Sequence, residues 1–134
     1  MSTFECKIKF RKEGKLVTET YLVGALSFTE AEANITSEMQ AYLSEPFKVV
    51  NIKLSTYSEV VRNEGRDGWF KAKVTLLVFD DETGKTKKQN IYILVQANDV
   101  KQAYGLTEVA MKGTLSEYKI SAVSETVILD VFKK

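Results

Sequence analysis

Residues Phe47 to Val61, FKVVNIKLSTYSEVV, return 71 positions later as Tyr118 to Phe132, YKISAVSETVILDVF. An aromatic residue opens each copy and a lysine follows it (Phe47-Lys48, Tyr118-Lys119). Apolar residues match at Val49/Ile120, Ile52/Val123, Tyr57/Ile128 and Val60/Val131, and an acid matches at Glu59/Asp130. Carried upstream, the same offset sets Tyr21-Leu22-Val23 against Tyr92-Ile93-Leu94 and Ser27 against Asn98. A match sustained over about 40 positions is the signature of a duplicated structural unit. It constrains topology and carries no chemistry.

In 134 residues two independent domains would each be marginal, because small domains bury too little of their surface. The expected solution is a single domain, 1–134, built from two units, 3–62 and 69–132, joined by a linker at 63–68. Each unit reads as strand, strand, helix, strand. Phe4, Cys6, Ile8 and Phe10 alternate with Glu5, Lys7 and Lys9, the period of a half-buried strand, and Glu13-Gly14 turns it. A second strand runs from about Lys15 to Val23. Ser27-Phe28-Thr29-Glu30 is a capping box that opens a helix from Phe28 to about Ser44. Its apolar stripe is Phe28, Ala31, Ile35, Met39, Tyr42 and Leu43, and Pro46 ends it.

Phe47 to Arg62 then reads as one long strand whose side-chain parity changes along its length. A bulge near Leu54, and near Glu125 in the copy, is the expected cause. The second unit repeats the plan, with Trp69 to Phe79 and Lys87 to Gln96 as strands around a longer hairpin tip at Asp80–Lys85. Asn98 is the expected N-cap of a second helix that carries Gly105 in its middle and ends at Gly113. A crossover helix lets the third strand return beside the first, giving the local order 2-1-3, with the far half of that strand free to pair with the other unit. The predicted fold is α+β: a tandem β-β-α-β repeat with pseudo-twofold symmetry, its antiparallel or mixed sheets packed against two helices. Continuous sheets and a partly closed barrel both satisfy this reading.

The chemistry-bearing residues are few. The chain has no histidine, which removes the commonest general base and most zinc sites. Its single cysteine, Cys6, lies on an apolar strand face and reads as a structural thiol in a reducing compartment. Gly65 and Gly68 form no phosphate-binding pattern, and Asp80-Asp81-Glu82 reads as a solvated tip rather than a cation loop. No metal and no cofactor is expected. Glu59 and Asp130 are repeat-matched acids that could meet as a carboxylate pair, with separate surface acids as the plainer reading. The net charge of +1 is spread evenly, with eight Lys/Arg and eight Asp/Glu up to residue 63, and eleven and ten after it. That balance gives no electrostatic footprint for nucleic acid or membrane. The amino terminus has no apolar run of the kind a signal peptide needs, so a cytoplasmic setting is expected.

The most binding-like cluster is Arg62, Arg66, Trp69 and Lys71 around the linker, with Tyr57 added from the preceding strand. Arginine and tryptophan are the residues enriched at recognition hot spots and on stacking platforms. A tryptophan covering the core edge, with arginines keeping a loop soluble, is the plainer reading. Lys85, Lys87 and Lys88 are offset by the three acids before them.

Over essentially its whole length the chain resembles a small Bacteroidetes domain family of unknown function that is also met in their phages. The residues carrying the resemblance are ETYLVGALSFTEAEA (Glu19 to Ala33), YSEVV (Tyr57 to Val61), WFKAKV (Trp69 to Val74), ILVQA (Ile93 to Ala97), MKGT (Met111 to Thr114) and YKISAVSETVILDVF. The resemblance implies a bacterial or phage origin and a cytoplasmic setting, and no activity.

The expected function is a non-catalytic binding or regulatory protein, homo-oligomeric through sheet edges or the long strands, with a protein partner. An alternative is sequestration of a nucleotide or cyclic nucleotide, with Trp69 or tyrosines stacking and Arg62 or Arg66 on phosphate. Single-stranded nucleic-acid binding on an aromatic sheet face is a third reading, and a histidine-free carboxylate enzyme ranks last.

Overall fold

Alternation of Phe4, Cys6, Ile8 and Phe10 gives β1 (Ser2–Lys12) one apolar face, and β1 pairs antiparallel with β2 (Lys15–Ala25) in the computed structural model, which describes residues 2–132. Glu13 and Gly14 join them at φ of 52° and 78°, the paired positive angles that a two-residue hairpin of the I′ type requires. Helix α1 (Phe28–Tyr42) follows, then β3 (Phe47–Leu54) and β4 (Tyr57–Val61). The second repeat supplies β5 (Gly68–Asp80), β6 (Lys85–Ala97), α2 (Val100–Ala110), β7 (Glu117–Glu125) and β8 (Ile128–Phe132). The fold is α+β, with two mixed four-stranded sheets ordered β3-β1-β2-β8 and β4-β6-β5-β7. The expected local order 2-1-3 is present in both.

The expected single long strand is corrected. Each copy breaks, at Ser55-Thr56 and at Thr126-Val127, and its second piece joins the other repeat's sheet. Thus β4 pairs in parallel with β6, and β8 pairs in parallel with β2. The same bond anchors both breaks: Ser55 N–H donates to the Thr3 carbonyl at 2.9 Å, and Thr126 N–H donates to the Trp69 carbonyl at 3.0 Å. The described residues accordingly form two compact units, 2–55 with 127–132, and 56–126.

The bulge exists, but earlier than expected. Val50 is the extra residue between Val49 and Asn51 against β1, and Ser121 is the extra residue against β5, 71 positions on. This is why Phe47 and Val49 share a face with Ile52 and Leu54 despite the broken parity. The upstream match also needs correcting by one residue. Leu22 pairs with Val131 as Leu94 pairs with Val60, so β2 and β6 correspond at 72 positions rather than 71. A one-residue slip in a strand exchanges its two faces, so the burial pattern fixes this choice. The helix caps obey the same offset. Ser27 Oγ accepts from Glu30 N–H at 3.1 Å, and Asp99 Oδ1 accepts from Gln102 N–H at 2.7 Å. Asp99, rather than Asn98, is therefore the cap. In both boxes the third residue reaches back one position further than the cap, Glu30 to Leu26 N–H and Gln102 to Asn98 N–H.

Each helix covers one face of its own sheet. Ala31, Ile35 and Met39 of α1 are buried against Phe4, Cys6, Ile8, Phe10, Val23 and Phe132. Burial of Ile35 and Met39 contributes about 1.5–3 kcal/mol each. Phe28 and Tyr42 stay largely exposed at the ends of the stripe, Phe28 meeting Phe4 edge-on at 4.9 Å. In the second unit Ala103, Leu106 and Met111 pack over Phe70, Ala72, Val74, Ile93, Val95 and Ala97. A Cβ added at Gly105 meets nothing within 4 Å, so this glycine is not there for close helix packing. No described helix is long and apolar enough to cross a membrane.

Candidate functional site

The linker cluster separates into two pairs. Arg62 lies over the Trp69 ring at 5.8 Å, and Trp69 is only 2% exposed. An indole closed in by its own arginine has little face to offer a base. Lys71 lies over Tyr92 at 5.4 Å, and Tyr57 is the cross-strand partner of Tyr92, which the sequence reading passed over. Arg66 is exposed in the turn and joins neither pair. That turn is held through its backbone. Asn63 N–H and Nδ2–H both donate to Gln96 at 3.0 Å, Gln96 Nε2–H donates to the Arg66 carbonyl, and Asp67 N–H donates to Asn98 Oδ1 at 2.9 Å.

Glu59 lies on β4 in one compact unit and Asp130 on β8 in the other. Asp130 accepts from Val131 N–H at 2.8 Å and adds its charge to that of Glu19 beside Tyr21. Burial first, then the hydrogen bond to Glu19, holds the Tyr21 phenol well above its usual range. Burial, with a smaller contribution from Glu5, pushes the Cys6 thiol up to about 12, so at neutral pH it is an inert core group. Among the described residues no three Cys, Asp or Glu side chains gather as metal ligands. Asp80 is occupied by Glu82 N–H and faces Lys87 at 3.8 Å.

The hollow ground of the first unit lies at the other end of its sheet. Pro46 stops α1, and the Ser44–Phe47 connection drops the chain onto the tip of the β1–β2 hairpin. Three concavities of 700, 780 and 360 Å³ share Glu45 at their border. The 780 Å³ groove is lined by Phe10, Leu16, Pro46, Phe47 and Val50, with Lys9, Arg11, Lys48 and Glu45 among them. Sheet register sets Lys9 directly opposite Lys48. Like charges in that position repel and cost stability. Among the described residues neither lysine, nor Arg11, forms an ion pair; Arg11 makes only a long 3.5 Å contact with the Gly14 carbonyl. Nearby Lys53, by contrast, is neutralised by Glu5 at 3.0 Å. Alternation marked Lys9 as a polar-face residue, but its opposition to Lys48 depends on register, which no local signal carries.

No curated protein and no solved structure matches the chain. A family described as Domain of unknown function (DUF4494) matches residues 2–134, and with the match spanning this duplicated, strand-exchanged fold, the chain belongs to that family.

Proposed function

We propose that the chain is a non-catalytic binding protein whose ligand site is the groove at the hairpin tip of the first unit. The observation that carries this reading is the cross-strand pair Lys9 and Lys48, two like charges held over a partly apolar groove. Such a pair is a cost to the unliganded fold and an asset to a complex that neutralises it. The inert Cys6 and the absence of histidine support a role without covalent or acid–base chemistry. Native mass spectrometry of the chain recovered from its own host, beside the Lys9→Thr/Val50→Ser variant, tests the reading. Extra mass retained by the natural chain and lost from the variant is the expected result. Bare polypeptide in both, or equal extra mass on both, overturns it.

Self-association is a second reading, supported by β3 and β7, which form outer edges of their sheets. An exposed edge offers unpaired N–H and C=O groups to another strand. Sedimentation over a hundredfold concentration range tests it, and a monomer throughout rejects it.

A further inference from the structure

We infer that the groove selects small organic anions, a carboxylate or phosphate carried on an apolar body; this narrower claim rests on the binding reading above. Three cations and one acid line the groove, so its field favours an anion. An anion set between Lys9 and Lys48 replaces their repulsion by charge-assisted hydrogen bonds. The apolar part of the lining asks for something more than a bare ion. Leu16 is 54% exposed and Val50 48% exposed, in a space whose 780 Å³ falls within the range of small-ligand clefts.

The second repeat provides an internal control. Its equivalent cross-strand pair is Thr75 opposite Lys119, and its bulge residue is Ser121 in place of Val50. Thr75 Oγ1–H donates to Asn90 Oδ1 at 2.9 Å, and the Ser121 hydroxyl bonds Thr75 at 2.6 Å. There the same backbone position is satisfied internally. In the first repeat it presents charge and apolar surface together.

The test is amide NMR on the full chain with 2-naphthoate, 2-naphthyl phosphate and, as the uncharged control, naphthalene-2-methanol. Saturable shifts at the amides of Lys9, Phe10, Lys48 and Val50 are expected from the anions. Their affinity should exceed that of the alcohol by at least about tenfold, the equivalent of one charge-assisted bond. Lys9→Thr and, independently, Lys48→Gln should each weaken anion binding by about tenfold, with the amides of the second sheet unmoved as the check on folding. Equal binding of alcohol and anions at those amides overturns anion selection and leaves a binding groove standing. No shift there with any probe, or shifts centred on Thr75 and Lys119, overturns the inference and the groove together.

Discussion

Lys9, Lys48 and Val50 occupy the same three backbone positions in the first repeat that Thr75, Lys119 and Ser121 occupy in the second. Both sets sit at a β-bulge with the same register against the neighbouring strand. In the second repeat Thr75 and Ser121 bond each other and Thr75 bonds Asn90; in the first a like-charged pair lies beside an open groove. The scaffold is shared, down to the bulge, the helix cap and the bond that anchors each strand exchange, while the side chains at this place have parted. The second repeat builds the same scaffold with a hydrogen-bonded threonine and serine there. It does not need two lysines.

Grafting residues from one repeat onto the other sharpens the comparison. The largest effect is expected at the helix position shared by Ile35 and Thr107, both fully buried. Thr107 keeps its hydroxyl on the Ala103 carbonyl at 2.7 Å within a core fitted to it. Ile35→Thr removes apolar volume from a core that is not, and should cost about 2–4 kcal/mol in urea unfolding.

Cys6 corresponds to Ala72, and Cys6→Ala should change the pH dependence of stability. Because the folded thiol titrates near 12 rather than 9.0, its contribution is complete below pH 9 and is lost as pH climbs from 9 toward 12. The natural chain should therefore lose stability more steeply than Cys6→Ala over that window, by on the order of a few kcal/mol at its upper end. Equal slopes in the two proteins would show the thiol to be solvated.

Ser27→Ala and Asp99→Ala should each cost about 1 kcal/mol, whereas Asn98→Ala should cost less, since Asn98 caps no helix and serves only Asp67 N–H. Equal losses at Asn98 and Asp99 would break the 72-residue correspondence. Gly105 corresponds to Ala33, and with open space around it Gly105→Ala should stabilise by up to about 1 kcal/mol, seen as a higher melting temperature.

Much of the fold was legible because it depends on local pattern. The alternation from Phe4 to Phe10, the Glu13-Gly14 turn, the Ser27 cap and the stop at Pro46 are each written within a few residues. The sheet exchange left a trace too, in the loss of pattern near Leu54 and Glu125, although a kink and a change of sheet look alike in one dimension. The one-residue error in the upstream match arose because Tyr21-Leu22-Val23 and Tyr92-Ile93-Leu94 are apolar throughout, so composition aligns them equally well at either offset. The proposed site was hidden for a different reason. Arg62 and Trp69 drew attention by residue type, yet Trp69 takes the place of Thr3 beside a strand exchange and is buried there. Lys9 and Lys48 are ordinary surface lysines until register sets them face to face.

The most direct measurement of the central claim is urea unfolding of the natural chain and Lys9→Thr, each with and without 2-naphthoate. Without ligand, Lys9→Thr should be the more stable by about 0.2–1 kcal/mol, as relief of a like-charged pair requires. With ligand, the natural chain should gain more than the variant, whose affinity is about tenfold weaker. A variant that is less stable than the natural chain, or that gains equally from the anion, contradicts the claim that these lysines are set opposite each other for a ligand.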